Sequence, residues 1–273
     1  MKTGYQNLHT HTTYCDGVLT AEDMVKAAIE KGGASIGFSE HSYVPFDEEY
    51  SIKIEDIPGY MAEVTTLKEK YKGTIDIFTG IEMDYFTDKA PDGLNYIIGA
   101  VHHVEKDGNF ITVDGPAEHL YKMADVYFNG DFYALAESYY KTVANVVPKT
   151  GADIIGHFDL ITKNNKDGSM FDDTHPRYTQ AALNAMDHVL EKCKLFEVNT
   201  GAMYRRGTIE PYPSVSLLKE LYKRGGEIIL ASDSHCAGSL YYKFDEMVEL
   251  IKSCGFMFIK RLTKDGFIDE KLL

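Results

Sequence analysis

The chain reads as an α/β protein built as a (β/α) barrel. Short β-rich runs alternate with longer helical patterns over most of its 273 residues, as expected of parallel strands joined by crossover helices. Strand after strand ends in a residue able to bind a metal. No linker, internal repeat or low-complexity stretch interrupts the alternation, so a single domain over residues 1–273 is expected.

The strand candidates are Tyr5–His9, Ser35–Phe38, Ile75–Met83, Tyr96–His102, Asp153–Phe158, Leu195–Asn199 and Glu227–Ser232, with Phe256–Ile259 a weaker eighth. Helical patterns lie between them: Ala21–Lys31, Ile57–Tyr71, Pro116–Phe128, Phe132–Val147, Pro176–Cys193 and Pro213–Arg224. Thr20 suits an N-cap, with Asp23 three residues on. Gly32-Gly33 and Gly225-Gly226 suit helix ends. Asn164–His175 is the polar loop expected to be mobile.

Charged residues make up 26% and hydrophobic residues 44%, values of a soluble globular protein. A net charge of −14, with five arginines and no basic stripe, argues against a nucleic-acid partner. The apolar runs are too short to cross a bilayer, and no apolar signal region opens the chain. Neither a membrane partner nor export is expected. Cys15, Cys193, Cys236 and Cys254 show no paired spacing, which fits a reducing cytoplasm.

The chemistry sits at the strand ends. His9 and His11 close the first strand two residues apart, so both rings project to one side. Asp16-Gly17 follows. Glu40-His41 comes just after the second strand, and Glu82 ends the third. His102-His103 ends the fourth, His157 the fifth and Asn199 the sixth. Asp233 and His235 end the seventh. In a barrel these ends converge on one face, where active sites lie. Such a convergence of imidazoles and carboxylates points to a metal site.

Other polar residues have plainer readings. His103 should point away from His102 and pack, and Glu40 should face away or orient a ligand. Cys15 and Cys236 read as buried neutral thiols, and His119, His175 and His188 as surface or core histidines. Tyr14, Tyr43 and Tyr204 fall in loops that could line a pocket. The pair Arg205-Arg206 follows the sixth strand on the metal face, and guanidinium groups bind phosphate bidentately. Lys163, after the fifth strand, is a weaker candidate for the same task.

These motifs together resemble a known family. His9-Thr10-His11 with Asp16-Gly17, Ser39-Glu40-His41-Ser42, Gly80-Ile81-Glu82 and Gly99-Ala100-Val101-His102-His103 look like PHP (polymerase and histidinol phosphatase) domains. So do Gly156-His157-Phe158-Asp159 and Ser232-Asp233-Ser234-His235. Glu197-Val198-Asn199-Thr200 and Glu210-Pro211-Tyr212-Pro213-Ser214 further resemble the stand-alone histidinol-phosphatase branch. The resemblance implies a distorted (β/α)7 TIM-like barrel with two or three divalent transition-metal ions (Zn, Mn or Fe) at the C-terminal strand ends. A first metal would take His9, His11, Glu82 and Asp233. A second would share Glu82 and add His102 and His157. A third would take Asp16, His41 and His235, with Asp16 standing where many PHP sites have His.

The activity implied is hydrolysis of a small phosphomonoester, L-histidinol phosphate, by a metal-bridging hydroxide. Arg206 resembles the family's phosphate-binding arginine more closely than Arg205. Asn199 and Lys163 join the expected substrate contacts, and Asp233 or His235 would assist the leaving alcohol. Another PHP hydrolase (a phosphodiesterase, nuclease or phosphotyrosine phosphatase) is the alternative, and a non-catalytic metal-binding module the third. The tyrosine-phosphatase branch usually carries an Asp-Asp-Gly type run where this chain has Tyr14-Cys15-Asp16-Gly17. A degenerate module would lack ligands, whereas all nine matched positions carry ligand-capable side chains.

Overall fold

A computed structural model describes residues 4–165 and 168–272. Residues 166 and 167, part of the polar loop expected after Asn164, lie outside it. Seven strands form one sheet: β1 (Gln6–Asn7), β2 (Ser35–Phe38), β3 (Asp76–Asp84), β4 (Tyr96–Ala100), β7 (Ile154–Ile155), β8 (Leu195–Asn199) and β9 (Glu227–Ala231). All six neighbouring pairs in that order are parallel. The sheet closes just beyond its first and last strands, where Thr10 and Ser234 form a parallel bridge. His11 N donates to Ser234 O at 2.8 Å, and Ser234 N to His9 O at 3.0 Å. This is the seven-stranded, nearly closed barrel expected of the sequence.

Helices α1 (Ala21–Glu30), α2 (Ile57–Lys70), α6 (Pro176–Leu190) and α8 (Val215–Lys223) follow strands and cover the outside. α1 buries Ala21, Met24, Val25 and Ala28, one stripe at helical spacing. The Thr20 hydroxyl caps it, accepting from Asp23 N at 3.2 Å and donating to Asp23 Oδ2 at 2.9 Å. Because helices lie outside and side chains fill the inside, the strands are buried on both faces and read as apolar runs. Tyr96 fills space inside the early strands. Its hydroxyl donates to the carbonyls of Leu8 and Phe38, and Gly37 and Gly80 leave room for its ring.

The connection from β4 to β7 is the irregular part. It holds a hairpin, β5 (His103–Lys106) and β6 (Asn109–Thr112), then α3 (Ala117–Phe128), α4 (Phe132–Val143) and α5 (Val146–Thr150). The hairpin turns on Asp107-Gly108, both at positive φ, the conformation that a tight two-residue turn requires. The helix expected over Phe132–Val147 divides between α4 and α5. The eighth strand is a correction: residues 258–271 form a separate antiparallel hairpin, β10 (Phe258–Thr263) with β11 (Gly266–Lys271). It lies across the seam between β1 and β9. Leu262 N donates to Gln6 Oε1 at 2.7 Å, and Lys260 pairs with Glu227 at 3.2 Å. Helix α9 (Phe244–Ser253) precedes it, and short α7 (Gly201–Arg206) follows β8. Among the described residues, no helix is long and apolar enough to cross a membrane.

Candidate metal centre

The bridge that closes the barrel also builds the site. It holds His9 and His11 against the segment after β9 that carries Asp233 and His235. Asp233 Oδ1 lies 3.6 Å from His9 Nε2 and 3.2 Å from His11 Nε2. A second bridge, between His41 and Glu82, brings the end of β2 onto β3. Glu82 stands at the centre. Its Oε2 is 3.3 Å from His9 Nε2, 3.6 Å from His11 Nε2 and 2.6 Å from His41 Nδ1. Its Oε1 is 3.3 Å from His102 Nε2 and 2.7 Å from His157 Nε2. The carboxylate thus faces one ligand group with each oxygen. Asp16 Oδ1 lies 3.2 Å from His235 Nε2 and 3.6 Å from His41 Nε2. All nine residues expected as ligands come together. His41 touches both Glu82 and Asp16, so the third set joins the other two rather than standing apart.

The donor atoms fit a cation. His9 Nε2, His11 Nε2, His41 Nδ1, Glu82 Oε2 and Asp233 Oδ1 are buried and make no hydrogen bond among the described residues. Unpaired polar atoms cost on the order of 1–3 kcal/mol each when buried, a cost that a shared cation removes. Ligand atoms lie within 4.8 Å of one another in the groups His9–His11–Asp233, His41–Glu82–His102 and His11–Asp16–His41–His235. Imidazole nitrogen with carboxylate oxygen suits zinc, manganese or iron better than magnesium.

The charges are set for the same task. Burial opposes ionisation of Glu82, but His41, His9 and His102 hold it well below the usual carboxylate range. Burial likewise opposes charge on Asp233, and Arg205 followed by His9 outweighs it. Burial, then the charges of His41 and His235, keep His11 well below the ordinary imidazole value, which leaves a neutral ring with a free lone pair.

Two carboxylates behind the site were not foreseen. Glu197 Oε2 lies 2.8 Å from His9 Nδ1, and Asp84 Oδ2 lies 3.0 Å from His102 Nδ1. Each grips the ring nitrogen that faces away from Glu82. The sequence carried a signal for both. Glu197 is a carboxylate inside an otherwise apolar strand, and Asp84 shares the Glu82 side of β3 by alternation. Glu40 is fully buried and anchors the loop bearing Asp16. It accepts from Thr12 Oγ1 at 2.7 Å, Thr12 N at 3.0 Å and Cys15 Sγ at 2.8 Å. Burial, then the charge of Glu40, raises the Cys15 thiol and keeps it protonated.

A cavity of about 420 Å³ opens onto the centre, lined on its other walls by Asp47, Tyr50, His103, Asp114, Lys163 and Arg205. Several expectations change here. Arg205 faces the site: Nη2 donates to Asp233 Oδ2 at 2.8 Å and Nη1 to Asp233 O at 2.7 Å. Arg206 turns outward and donates to Asn164 Oδ1 at 2.9 Å. Successive residues of α7 point about 100° apart, and of the pair only Arg205 lines the cavity. Asn199, expected among the substrate contacts, is fully buried and does not line the cavity. Its Nδ2 donates to Glu197 Oε1 at 2.7 Å, and its Oδ1 accepts from Gly201 N at 2.8 Å. Lys163 lines the cavity with its ammonium on Asp114. His103 is buried as expected but lines the cavity too, because the chain leaves β4 at Ala100 and alternation breaks. Its Nε2 lies 3.1 Å from Asp47 Oδ2. Tyr50 takes the wall expected of other tyrosines; Tyr14 and Tyr43 donate instead to Glu63 and Glu48.

Known proteins are similar to this chain in sequence and in fold. A protein of Deinococcus radiodurans named "Probable histidinol-phosphatase" is 29% identical over 264 residues, 93% of this chain and 95% of that protein. The histidinol-phosphatase of Bacillus subtilis is 26% identical over 265 residues, 88% of this chain and 97% of its own length. Among solved structures, histidinol phosphate phosphatase from Lactococcus lactis, complexed with zinc, L-histidinol and phosphate, superposes with a TM-score of 0.70. It has 24% identity, with 97% of this chain and 98% of that chain covered. The family model of the PHP domain matches residues 7–201, a span that runs from the end of β1 through β8 and holds seven of the nine clustered residues, and so the chain belongs to the PHP domain family.

Proposed function

We propose that this chain is a metal-dependent phosphomonoesterase that hydrolyses L-histidinol phosphate to L-histidinol and phosphate, the reaction named for its full-length relatives. The observation that carries the reading is Glu82, whose Oε2 faces the buried, unbonded nitrogens of His9, His11 and His41 and whose Oε1 faces His102 and His157, beneath a cavity sized for a small ester that His41, His102 and His157 line.

The metal-binding residues in this reading are His9, His11, Glu82 and Asp233; Glu82, His102 and His157; and Asp16, His41 and His235, for two or three Zn, Mn or Fe ions. Such ions, when bound, neutralise phosphoryl charge and lower the pKa of a water. The chain does the rest. Arg205 offers its guanidinium edge to the phosphoryl oxygens and stabilises the charge that grows on them. Glu197 and Asp84 fix two of the histidines. Asp233, held ionised beside Arg205, would take the proton that the attacking water gives up, and it or His235 on the same wall would pass that proton to the leaving alcohol. Asp114 is taken by Lys163, but the carboxylate of Asp47 on the same wall meets only the His103 ring among the described residues, and it favours an alcohol carrying an ammonium group over a neutral or anionic one.

The test is a hydrolysis screen of the protein loaded with zinc or manganese. Histidinol phosphate is expected to give the highest kcat/KM among monoesters, with diesters far below. Faster turnover of a phosphodiester or of tyrosine phosphate overturns the reading.

A further inference from the structure

We propose that Glu197 is a positioning residue that sets the tautomer of His9, leaving Nε2 unprotonated and free for a metal; the proposal rests on the metal-binding reading of His9. Glu197 lies in β8 and is 1% exposed. Its Oε1 faces two donors, the backbone N–H of His157 at 2.7 Å and Nδ2 of Asn199 at 2.7 Å. The Asn199 amide is not free to turn, because its Oδ1 accepts from Gly201 N at 2.8 Å. Both partners of Oε1 are therefore N–H groups, and this oxygen can only accept.

That leaves Oε2 for His9 Nδ1, 2.8 Å away. With Glu197 ionised, the contact requires a proton on Nδ1. A neutral imidazole carries one N–H, so Nε2 keeps its lone pair. Nε2 points at two carboxylate oxygens, Glu82 Oε2 at 3.3 Å and Asp233 Oδ1 at 3.6 Å, and forms no hydrogen bond. Without Glu197, those two carboxylates would draw the proton to Nε2 and close the ligand position. The same carboxylate grips His157 through its main chain, so it ties one ligand on each side of Glu82. Asp84 repeats the device on His102, accepting from both its ring nitrogen and its backbone N–H at 3.0 Å and 3.2 Å. Histidine ligands held by an outer carboxylate are more basic and better oriented.

Glu197→Gln separates this role from packing, since it conserves shape. A glutamine has one acceptor and one donor end. If its oxygen serves His157 and Asn199, its NH2 faces His9 Nδ1 and forces the proton onto Nε2. If its oxygen serves His9, its NH2 meets two donors. The first arrangement keeps two buried hydrogen bonds and is expected to prevail.

Zinc affinity measured by chelator competition should fall roughly ten- to a hundred-fold. Ring ¹⁵N shifts of His9 in the metal-free protein, at a pH where the ring is neutral, should change from the Nδ1–H to the Nε2–H form. Glu197→Gln combined with Asn199→Asp replaces one of the two donors facing the glutamine NH2 by an acceptor, with the His157 N–H remaining, favours turning its oxygen to His9, and should recover part of the Nδ1–H form and of the affinity. Unchanged tautomer and affinity in Glu197→Gln overturn the proposal, as does lost affinity that the double variant leaves lost. A wild-type protein that binds no zinc defeats the metal reading instead, and the tautomer of the metal-free protein still decides the role of Glu197.

Discussion

Arg205 Nη2 donates to Oδ2 of Asp233 at 2.8 Å, while the other oxygen of Asp233 faces His9 and His11. One carboxylate thus joins the guanidinium, which lines the cavity, to the donor cluster. Arg205→Ala should lower kcat/KM by roughly thirty- to a thousand-fold, about 2–4 kcal/mol for a charged contact to phosphate. Arg205→Lys should recover only part, because lysine keeps the charge and loses the fork. Arg206→Ala is the control and should stay near wild type, since Arg206 does not line the cavity and donates to Asn164. Steady-state kinetics in which Arg206→Ala is the crippled variant would return the phosphate to Arg206.

Glu82→Gln tests the bridge. A glutamine offers one oxygen where the site uses two, so one of the groups around Glu82 loses its shared ligand. Metal content by elemental analysis and turnover should fall together. Full occupancy with near-normal turnover in that variant would show that the two groups do not depend on a common carboxylate.

The barrel was legible because buried parallel strands are apolar throughout and their ligand residues sit at the ends, so Ile228–Ala231 followed by Asp233 announces both sheet and site. Strand lengths were not. β1 keeps only Gln6–Asn7 and β7 only Ile154–Ile155, because His9, His11 and His157 lie past the ladder, where their side chains turn to Glu82. The Arg205 register was hidden for a related reason. A loop after β8 leaves the pair unresolved, whereas α7, starting at Gly201, fixes its rotation. His103 misled because alternation was carried past the end of β4. Tyr50 and Asp47 come from a loop with no period at all, and only the folded chain brings them to the cavity.

Packing inside the barrel gives a prediction of opposite sign at two glycines. A Cβ on Gly80 would stand 2.3 Å from Cζ of Tyr96, a fully buried ring whose hydroxyl ties Leu8 and Phe38. Gly80→Ala should cost about 1–3 kcal/mol through overpacking. Gly59, inside α2, has only Tyr14 atoms at 3.6 Å and beyond. Gly59→Ala should stabilise by about 0.5–1 kcal/mol. Urea denaturation midpoints decide, and a stabilised Gly80→Ala would mean that Tyr96 can move aside.

Acid should weaken one tie between α4 and α6 in a predictable direction. Arg177 Nε and Nη2 donate to the two oxygens of Glu137 at 2.7 Å and 2.8 Å, and Nη1 to Asp131 Oδ2 at 2.8 Å. Asp131 also caps α4, its Oδ1 accepting from Tyr133 N and Ala134 N. The hydrogen bonds from Arg177 are the largest cause lowering both carboxyl groups below their ordinary values. A carboxyl whose pKa is lower folded than unfolded stabilises fully above the unfolded value, about 4 for Asp and Glu, and loses that contribution as pH falls through the folded one. The pair is partly exposed, so the effect is small. Arg177→Gln should therefore have a slightly lower Tm than wild type at pH 7, and the gap should shrink as pH is taken from about 5 towards 3. Scans of both proteins in the same buffers cancel the acid response of the metal centre. A gap that stays constant across that range would show that Arg177 acts by packing on Tyr133, 5.6 Å from its ring centre, and not through the carboxylates.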